Sequence, residues 1–278
     1  VVDTTPPSVP TFSTQPSSPS NDQTPTWSVN SVSTATHYAY AISSDGGAIY
    51  GNYSDWTTST SHTTSALPAT SGTSYKLKVK VKDDVNNESG EQVSSSYVLD
   101  TEISTPTLSG PSGIIASTSA EFTATDIGET ATYAFYTSDG TLIQNYSTSR
   151  KITITSSHEV SKTVKVQARD AAGNVSAFSN IMSFTPDVVG PVAVVINTPA
   201  SPSNDQTPTF TWNNVESGAT YRVRLSDNNG SSYGNYTSYS ASTSYTPSTL
   251  PTTSGTNYKI QVQAKDSLGN EGAVATSG

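Results

Sequence analysis

The side chains best suited to chemistry in this chain are oxygen donors and aromatic rings. Three loop sequences bring acidic and amide groups together: Asp83-Asp84-Val85-Asn86-Asn87-Glu88, Asp170-Ala171-Ala172-Gly173-Asn174 and Asp266-Ser267-Leu268-Gly269-Asn270-Glu271. Two readings of them stand side by side. In a tight hairpin turn an Asp accepts backbone N–H bonds, which is a purely structural use. Alternatively, a hard cation takes about six to eight oxygens, and loops at the end of one β unit beside the start of the next would supply some of them. On that reading Asp83 or Asp84 meets Asp100 and Glu102, Asp170 meets Asp187, and Asp266 serves the third loop. The cofactor would be Ca2+ at interdomain junctions, held weakly by few carboxylates. A second group is aromatic: Tyr50, Tyr53 and Trp56, then Tyr233, Tyr236 and Tyr239. These rings either form a platform for sugar rings or simply cover the edge of a sandwich. Catalytic constellations are missing. His37, His62 and His158 have no ligand spacing and there is no cysteine, which argues against zinc. No Gly-x-Ser-x-Gly elbow, phosphate-binding loop or paired carboxylates for glycoside cleavage occur, so the chain reads as not an enzyme.

What positions these groups is a repeat. Pro16-Ser17-Ser18-Pro19-Ser20-Asn21-Asp22-Gln23-Thr24-Pro25-Thr26-Trp27 returns from Pro199 to Phe210 at a shift of 183 residues. Tyr50-Gly51-Asn52-Tyr53-Ser54 and Gly72-Thr73-Ser74-Tyr75-Lys76 return at the same shift, as Tyr233 to Thr237 and Gly255 to Lys259. One constant shift marks homologous units. A divergent middle copy fills the gap, marked by Phe122, Tyr133-Ala134-Phe135 and Val164 to Asp170. The expected domains are therefore 1–99, 100–186 and 187–278, with turn formers and prolines at the boundaries. The third copy reaches Gly278, the equivalent of Ser95, so its final strand is expected to be clipped or completed from outside.

Strict alternation identifies the strands. Tyr75, Leu77, Val79 and Val81 point one way and Lys76, Lys78, Lys80 and Lys82 the other; Tyr258, Ile260, Val262 and Ala264 repeat the pattern in copy three. A period of two predicts half-buried antiparallel strands with one wet face. Trp27, Phe122 and Phe210 are expected core plugs, with Tyr75 and Tyr258 as further core residues. These two tyrosines also suit a tyrosine corner, a hydroxyl closing onto backbone. Copy two has Lys162 at that place and is expected to lack the corner and to be the least stable copy. Without cysteine no disulfide joins the sheets. The fold class is all-β: three tandem immunoglobulin-like β-sandwiches in an elongated array.

Composition narrows the function further. Thirteen basic against twenty-two acidic residues leave a formal charge of -9, which argues against nucleic-acid binding. No apolar run reaches the roughly 20 residues of a membrane span. The chain opens Val1-Val2-Asp3, without a signal peptide, and reads as a segment of something longer.

Asp3-Thr4-Thr5-Pro6-Pro7 at one junction and Val166-Gln167-Ala168-Arg169-Asp170-Ala171-Ala172-Gly173-Asn174-Val175-Ser176 near the end of copy two look like the bacterial immunoglobulin-like repeats of giant surface adhesins. The chain also resembles fibronectin-III-like modules. The resemblance spans essentially all of it and implies an elongated stalk on the bacterial cell surface or otherwise outside the cell, projecting a binding region. Its partners would be neighbouring repeats of the same polypeptide and a host or neighbouring-cell surface protein or glycan. Some members carry calcium at junctions, on acidic residues matching Asp100, Asp170 and Asp187. Copy one departs from the family turn at Asp84-Val85-Asn86-Asn87. The alternatives are that the chain itself is a ligand-binding module, or an accessory array of an extracellular polysaccharide-degrading enzyme.

Overall fold

The computed structural model describes residues 2–251 and 255–278; the opening Val1 lies outside them. All regular elements among the described residues are strands, and no helix is long and apolar enough to cross a membrane. In chain order they begin with β1 (Phe12–Thr14), β2 (Thr26–Val29), β3 (His37–Ser43), β4 (Ser61–Thr63), β5 (Thr73–Lys82), β6 (Gln92–Val93) and β7 (Tyr97–Leu99). Next come β8 (Leu108–Ser109), β9 (Gly113–Ile115), β10 (Ser119–Ala124), β11 (Ala131–Tyr136), β12 (Leu142–Ser147), β13 (Lys151–Thr155), β14 (Lys162–Asp170) and β15 (Met182–Pro186). The last are β16 (Ile196–Asn197), β17 (Phe210–Trp212), β18 (Thr220–Ser226), β19 (Ser244–Tyr245), β20 (Lys259–Lys265) and β21 (Ala275–Thr276).

The strands gather into two compact units. One comprises Val1–Leu108, Thr123–Arg150 and Lys165–Asn180. Within it the sheet β1-β2-β4 faces a sheet of β3, β5 and β6, with β7 also on β5. Trp27 and Val29 from the first sheet meet Tyr38, Tyr40, Tyr75, Leu77, Val79, Val81, Tyr97 and Leu99 from the second in one core. The expected alternation holds along β5, where Tyr75, Leu77, Val79 and Val81 are buried and the intervening lysines half-buried. The same unit holds β12 on β11 and β11 on β14 from Lys165 to Asp170.

The other unit comprises Ser109–Phe122, Lys151–Val164 and Ile181–Gly278. Here the start of β14, Lys162 to Val164, pairs with β15, and β9 runs parallel to β15. Phe122 and Phe184 pack with ring centroids 5.8 Å apart. A second core forms between the sheets β16-β17-β19 and β18-β20-β21, around Phe210, Trp212, Tyr221, Val223, Ile260 and Val262.

Two expectations about tyrosine need correcting. Tyr75 is buried at 3% exposure, but Tyr258 is half-buried outside β20, and its hydroxyl reaches the Pro251 carbonyl only at 3.4 Å. On that side β20 pairs with β21 at Gln261 and Val262, whereas Thr73 to Tyr75 of β5 are held by β7. The corner itself sits on other tyrosines. The backbone N–H of Val32 donates to the Tyr38 hydroxyl at 3.1 Å, and that of Val215 to the Tyr221 hydroxyl at 3.2 Å. In copy two Tyr133 stands buried at the equivalent place in β11. The inward Tyr near the start of β3 and of β18, six residues after the donor, is the one whose hydroxyl can close the preceding loop.

Candidate functional site

The three acidic loops follow β5, β14 and β20, and each folds around its first Asp. Asp83 Oδ1 accepts the N–H of Val85 at 3.0 Å and of Asn87 at 2.8 Å. Asp170 Oδ1 accepts those of Gly173 and Asn174, both at 2.8 Å, and Asp266 Oδ1 those of Leu268 at 2.9 Å and Asn270 at 2.8 Å. Four residues on, an Asn amide donates to the second carboxylate oxygen of the same Asp, at 2.8 Å from Asn87 and Asn174 and 2.7 Å from Asn270. The same amide then fastens a distant carbonyl: Asp3 at 3.2 Å, Asp100 at 2.9 Å and Asp187 at 3.0 Å. Each loop thus clasps the segment leading into its own sequence copy. Burial works to raise the Asp83 and Asp266 carboxyls, but these hydrogen bonds outweigh it and hold both below the usual carboxylate value.

The clasp corrects the expected pairing. Asp170 stands with Asp100 and Glu129, one oxygen from each lying within 4.8 Å of the others. The expected partners of Asp83 were Asp100 and Glu102; its loop reaches Asp3 instead. The reason is antiparallel geometry: a long strand returning toward the chain's point of entry leaves its closing loop beside the lead-in, not beside the exit. Glu102 contributes backbone, its N–H donating to Asp100 Oδ1 at 3.3 Å and its carbonyl lying 3.5 Å from the Asn174 amide. Asp84 takes no part in the clasp. Glu129 was not singled out from the sequence. Burial and then the charges of Asp170 and Asp100 push its carboxyl upward. The Glu216 carboxyl is likewise raised, by burial and then by the charges of Asp266 and Asp187. The two glutamates precede Tyr133 and Tyr221 by unequal spacings, which hides the pattern in sequence.

All six aromatic candidates are engaged with cations. Lys78 Nζ lies 4.9 Å from the Tyr50 ring and 4.8 Å from Tyr53; Lys80 lies 4.5 Å from Tyr53 and 5.4 Å from Trp56; Lys82 lies 4.7 Å from Trp56. Glu91 pairs with Lys78 at 3.0 Å and Glu88 with Lys80 at 2.6 Å, completing columns of ring, cation and carboxylate. In copy three Arg224 spans Tyr233 and Tyr236 at 5.2 and 4.4 Å, Arg222 spans Tyr236 and Tyr239 at 4.4 and 5.0 Å, and Lys265 lies 3.9 Å from Tyr239. The Tyr239 hydroxyl is pushed up to about 12 by burial and its bond to Glu271. Copy two keeps fragments of this pattern, Arg169 over Tyr146 and Lys165 over Phe178, each at 4.1 Å.

The backbone explains the spacing of the rings. N–H groups of Gly51, Ser54 and Thr57 donate to the carbonyls of Ile42, Tyr40 and Tyr38; Gly234, Thr237 and Ser240 do the same to Leu225, Val223 and Tyr221. Three edge residues therefore cover the about 6.8 Å that two strand residues span. The edge chain is too coiled to be a strand, and it delivers one ring to each outward cation. Ala39 and Ala41 lie buried on this face at 1% and 3% exposure, so it is not the wet face that alternation alone predicts.

No family model and no curated protein matches the chain. Among solved structures it is similar to the FN1–FN3 domains of chicken CNTN1, at 13% identity over 98% of each chain with a TM-score of 0.33. It is also similar to a 1.5-MDa bacterial ice-binding adhesin, solved for its host cell surface retention, at 16% identity over 91% of this chain and 88% of that one with a TM-score of 0.46. At these identities and scores neither likeness bears on function.

Proposed function

We propose that the chain is a non-catalytic spacer segment of a bacterial surface protein of the adhesin type, working outside the cell. It consists of three tandem immunoglobulin-like sandwiches at 1–99, 100–186 and 187–278, whose partners are one another and further domains of the same polypeptide. The clasp supports this reading. Asn87, Asn174 and Asn270 tie the carbonyls of Asp3, Asp100 and Asp187 to the loops of the copies they lead into. Tension along the chain then enters a hydrogen-bonded hairpin instead of a loose linker. The glycan-platform alternative gains nothing from rings already occupied by lysine and arginine. Pulling the chain end to end in a force spectrometer tests the spacer. Three separate unfolding steps of about 300 Å are expected, the extended length of about 90 residues each. One cooperative step, or two unequal ones, would refute it.

Calcium is the second reading, favoured by the convergence of Asp100, Glu129 and Asp170. The donor set fits a weak oxygen site: three carboxylates meet, but Asp170 already accepts three hydrogen bonds and Asp100 Oδ1 accepts the Ser71 hydroxyl at 2.9 Å. Those three side chains would hold the ion, which would neutralise their mutual repulsion. Millimolar calcium is expected to raise the melting midpoint of the metal-free chain, and Glu129→Gln to abolish the rise. An unchanged midpoint would rule the site out.

A further inference from the structure

Triplets of Asn, any residue but proline, then Ser or Thr begin at Asn52, Asn87, Asn145, Asn174, Asn229 and Asn235. This is the acceptor pattern for an N-linked sugar, and the fold decides where it can be used. Asn87 and Asn174 work in the clasp. Each amide donates to an Asp carboxylate and to a distant carbonyl, so both of its hydrogens are taken. Both residues are half-buried, and Ser176, which completes the second of these triplets, is buried. Asn229 has a backbone reason for being there: its φ of 59° is a left-handed corner that Asn adopts more readily than most residues.

Asn52, Asn145 and Asn235 are placed differently. Each is exposed, on the edge segment that covers the second strand of its copy. Among the described residues nothing accepts a hydrogen bond from their Nδ2 atoms; Asn145 uses only its oxygen, which accepts the Tyr146 N–H at 2.8 Å. The other two members of each triplet are all employed. Tyr53 and Tyr236 lie over cations of their own copies, and Tyr146 lies over Arg169. Ser54 Oγ accepts the Tyr40 N–H at 3.1 Å, Thr237 Oγ1 the Val223 N–H at 3.0 Å, and Ser147 Oγ the Gln144 amide at 2.9 Å. Packing thus accounts for the Tyr and the hydroxyl but not for the Asn. Nor does backbone register account for it. In copy two the triplet has moved along the edge, with Ser147 opposite Tyr133 where copy one has Thr57 opposite Tyr38, and the Asn has moved with it.

We propose that Asn52, Asn145 and Asn235 are modification sites that carry N-linked sugars, added to the folded chain. The donor is a sugar on a diphosphate carrier. Asn Nδ2 attacks the anomeric carbon: an N–C bond forms while the C–O bond to the diphosphate breaks. The diphosphate leaves with that electron pair, and the amide gives up one proton. At these three positions the sugar replaces a hydrogen that bonds to nothing in the protein, whereas at Asn87 or Asn174 the clasp would have to open first. The sugar on copy two has a further use. There β12 is the outermost strand of its sheet, its six residues include no charge and no proline, and Leu142 and Ile143 are exposed at 50% and 39%. Such an edge invites pairing with another chain, and a bulky, hydrated group on Asn145 obstructs it.

The test isolates the chain from the cells that make it, digests it, and weighs and fragments the peptides. A sugar mass is expected on Asn52, Asn145 and Asn235, and none on Asn87 or Asn174. Ser54→Ala made in the same cells should lose the sugar from Asn52 while Asn145 and Asn235 keep theirs as internal controls. Ser54→Thr, which preserves both the triplet and the hydroxyl, should retain all three. Removing the sugars enzymatically should increase self-association in sedimentation, and Ile143→Lys should cancel that increase. Bare asparagine at any of the three positions, equal loading of Asn87 or Asn174, or a sugar retained on Asn52 in Ser54→Ala would each overturn the proposal. Unchanged self-association of the stripped chain would overturn the role given to the sugar on β12.

Discussion

Glu129 carries the clearest electrostatic consequence at the residue scale. Its carboxyl is raised by burial and by Asp170 and Asp100, so the folded chain binds that proton more tightly than the unfolded chain. By linkage, stability falls as pH rises above the ordinary glutamate value, because ionisation then costs the folded state. Glu129→Gln is therefore expected to raise the melting midpoint at pH 7 by a few degrees. Near pH 4, where Glu129 is protonated, variant and parent should coincide. Equal midpoints at both pH values would show that the three carboxylates do not repel. The same residue shows where sequence reading stops. Asp83, Asp170 and Asp266 are legible as turn formers from the Asp and Asn four apart. The glutamate arriving from another loop is not, because no local spacing connects residue 129 to residue 170.

At the scale of elements, the cation ladder records an exchange between paired strands. In copy one Ala39 and Ala41 lie opposite Lys80 and Lys78. In copy three Arg222 and Arg224 lie opposite Gln263 and Gln261. The cation has moved from one strand to its partner while remaining under the same rings. A cation over an aromatic ring contributes about 0.5–1 kcal/mol at exposed sites. Lys78→Gln with Lys80→Gln should therefore destabilise the first copy by about 2 kcal/mol. Adding Ala39→Arg and Ala41→Arg should recover most of that loss in a denaturant titration. A quadruple variant weaker than the double would refute the exchange. Alternation along β5 and β20 was readable because core burial imposes a period of two. The ladder was not, because it matches a period of three in one segment to a period of two in another, and the lysines pass for ordinary solvated residues.

For the whole molecule, the repeat announces three similar stretches, while the described chain groups into two compact units, with three of their five limits falling inside β8, β10 and β14. The three expected force steps would decide how many of these stretches unfold independently. The core aromatics Trp27, Phe122 and Phe210 were recognisable because large apolar side chains in so polar a chain have few other uses. Which tyrosine closes the corner, and which lead-in each loop grips, depend on how strands return through space.

Similar repeats on one polypeptide risk trading strands while they fold. The relocated cations bear on that hazard. A hybrid sheet of β3 with β20 would set Ala39 and Ala41 opposite Gln263 and Gln261, leaving the central rungs without any positive charge. The reciprocal hybrid of β18 with β5 would crowd arginine against lysine on those same rungs. Each copy therefore completes its ladder only with its own strands, and divergence at four positions discourages mispairing without touching the hydrophobic interior.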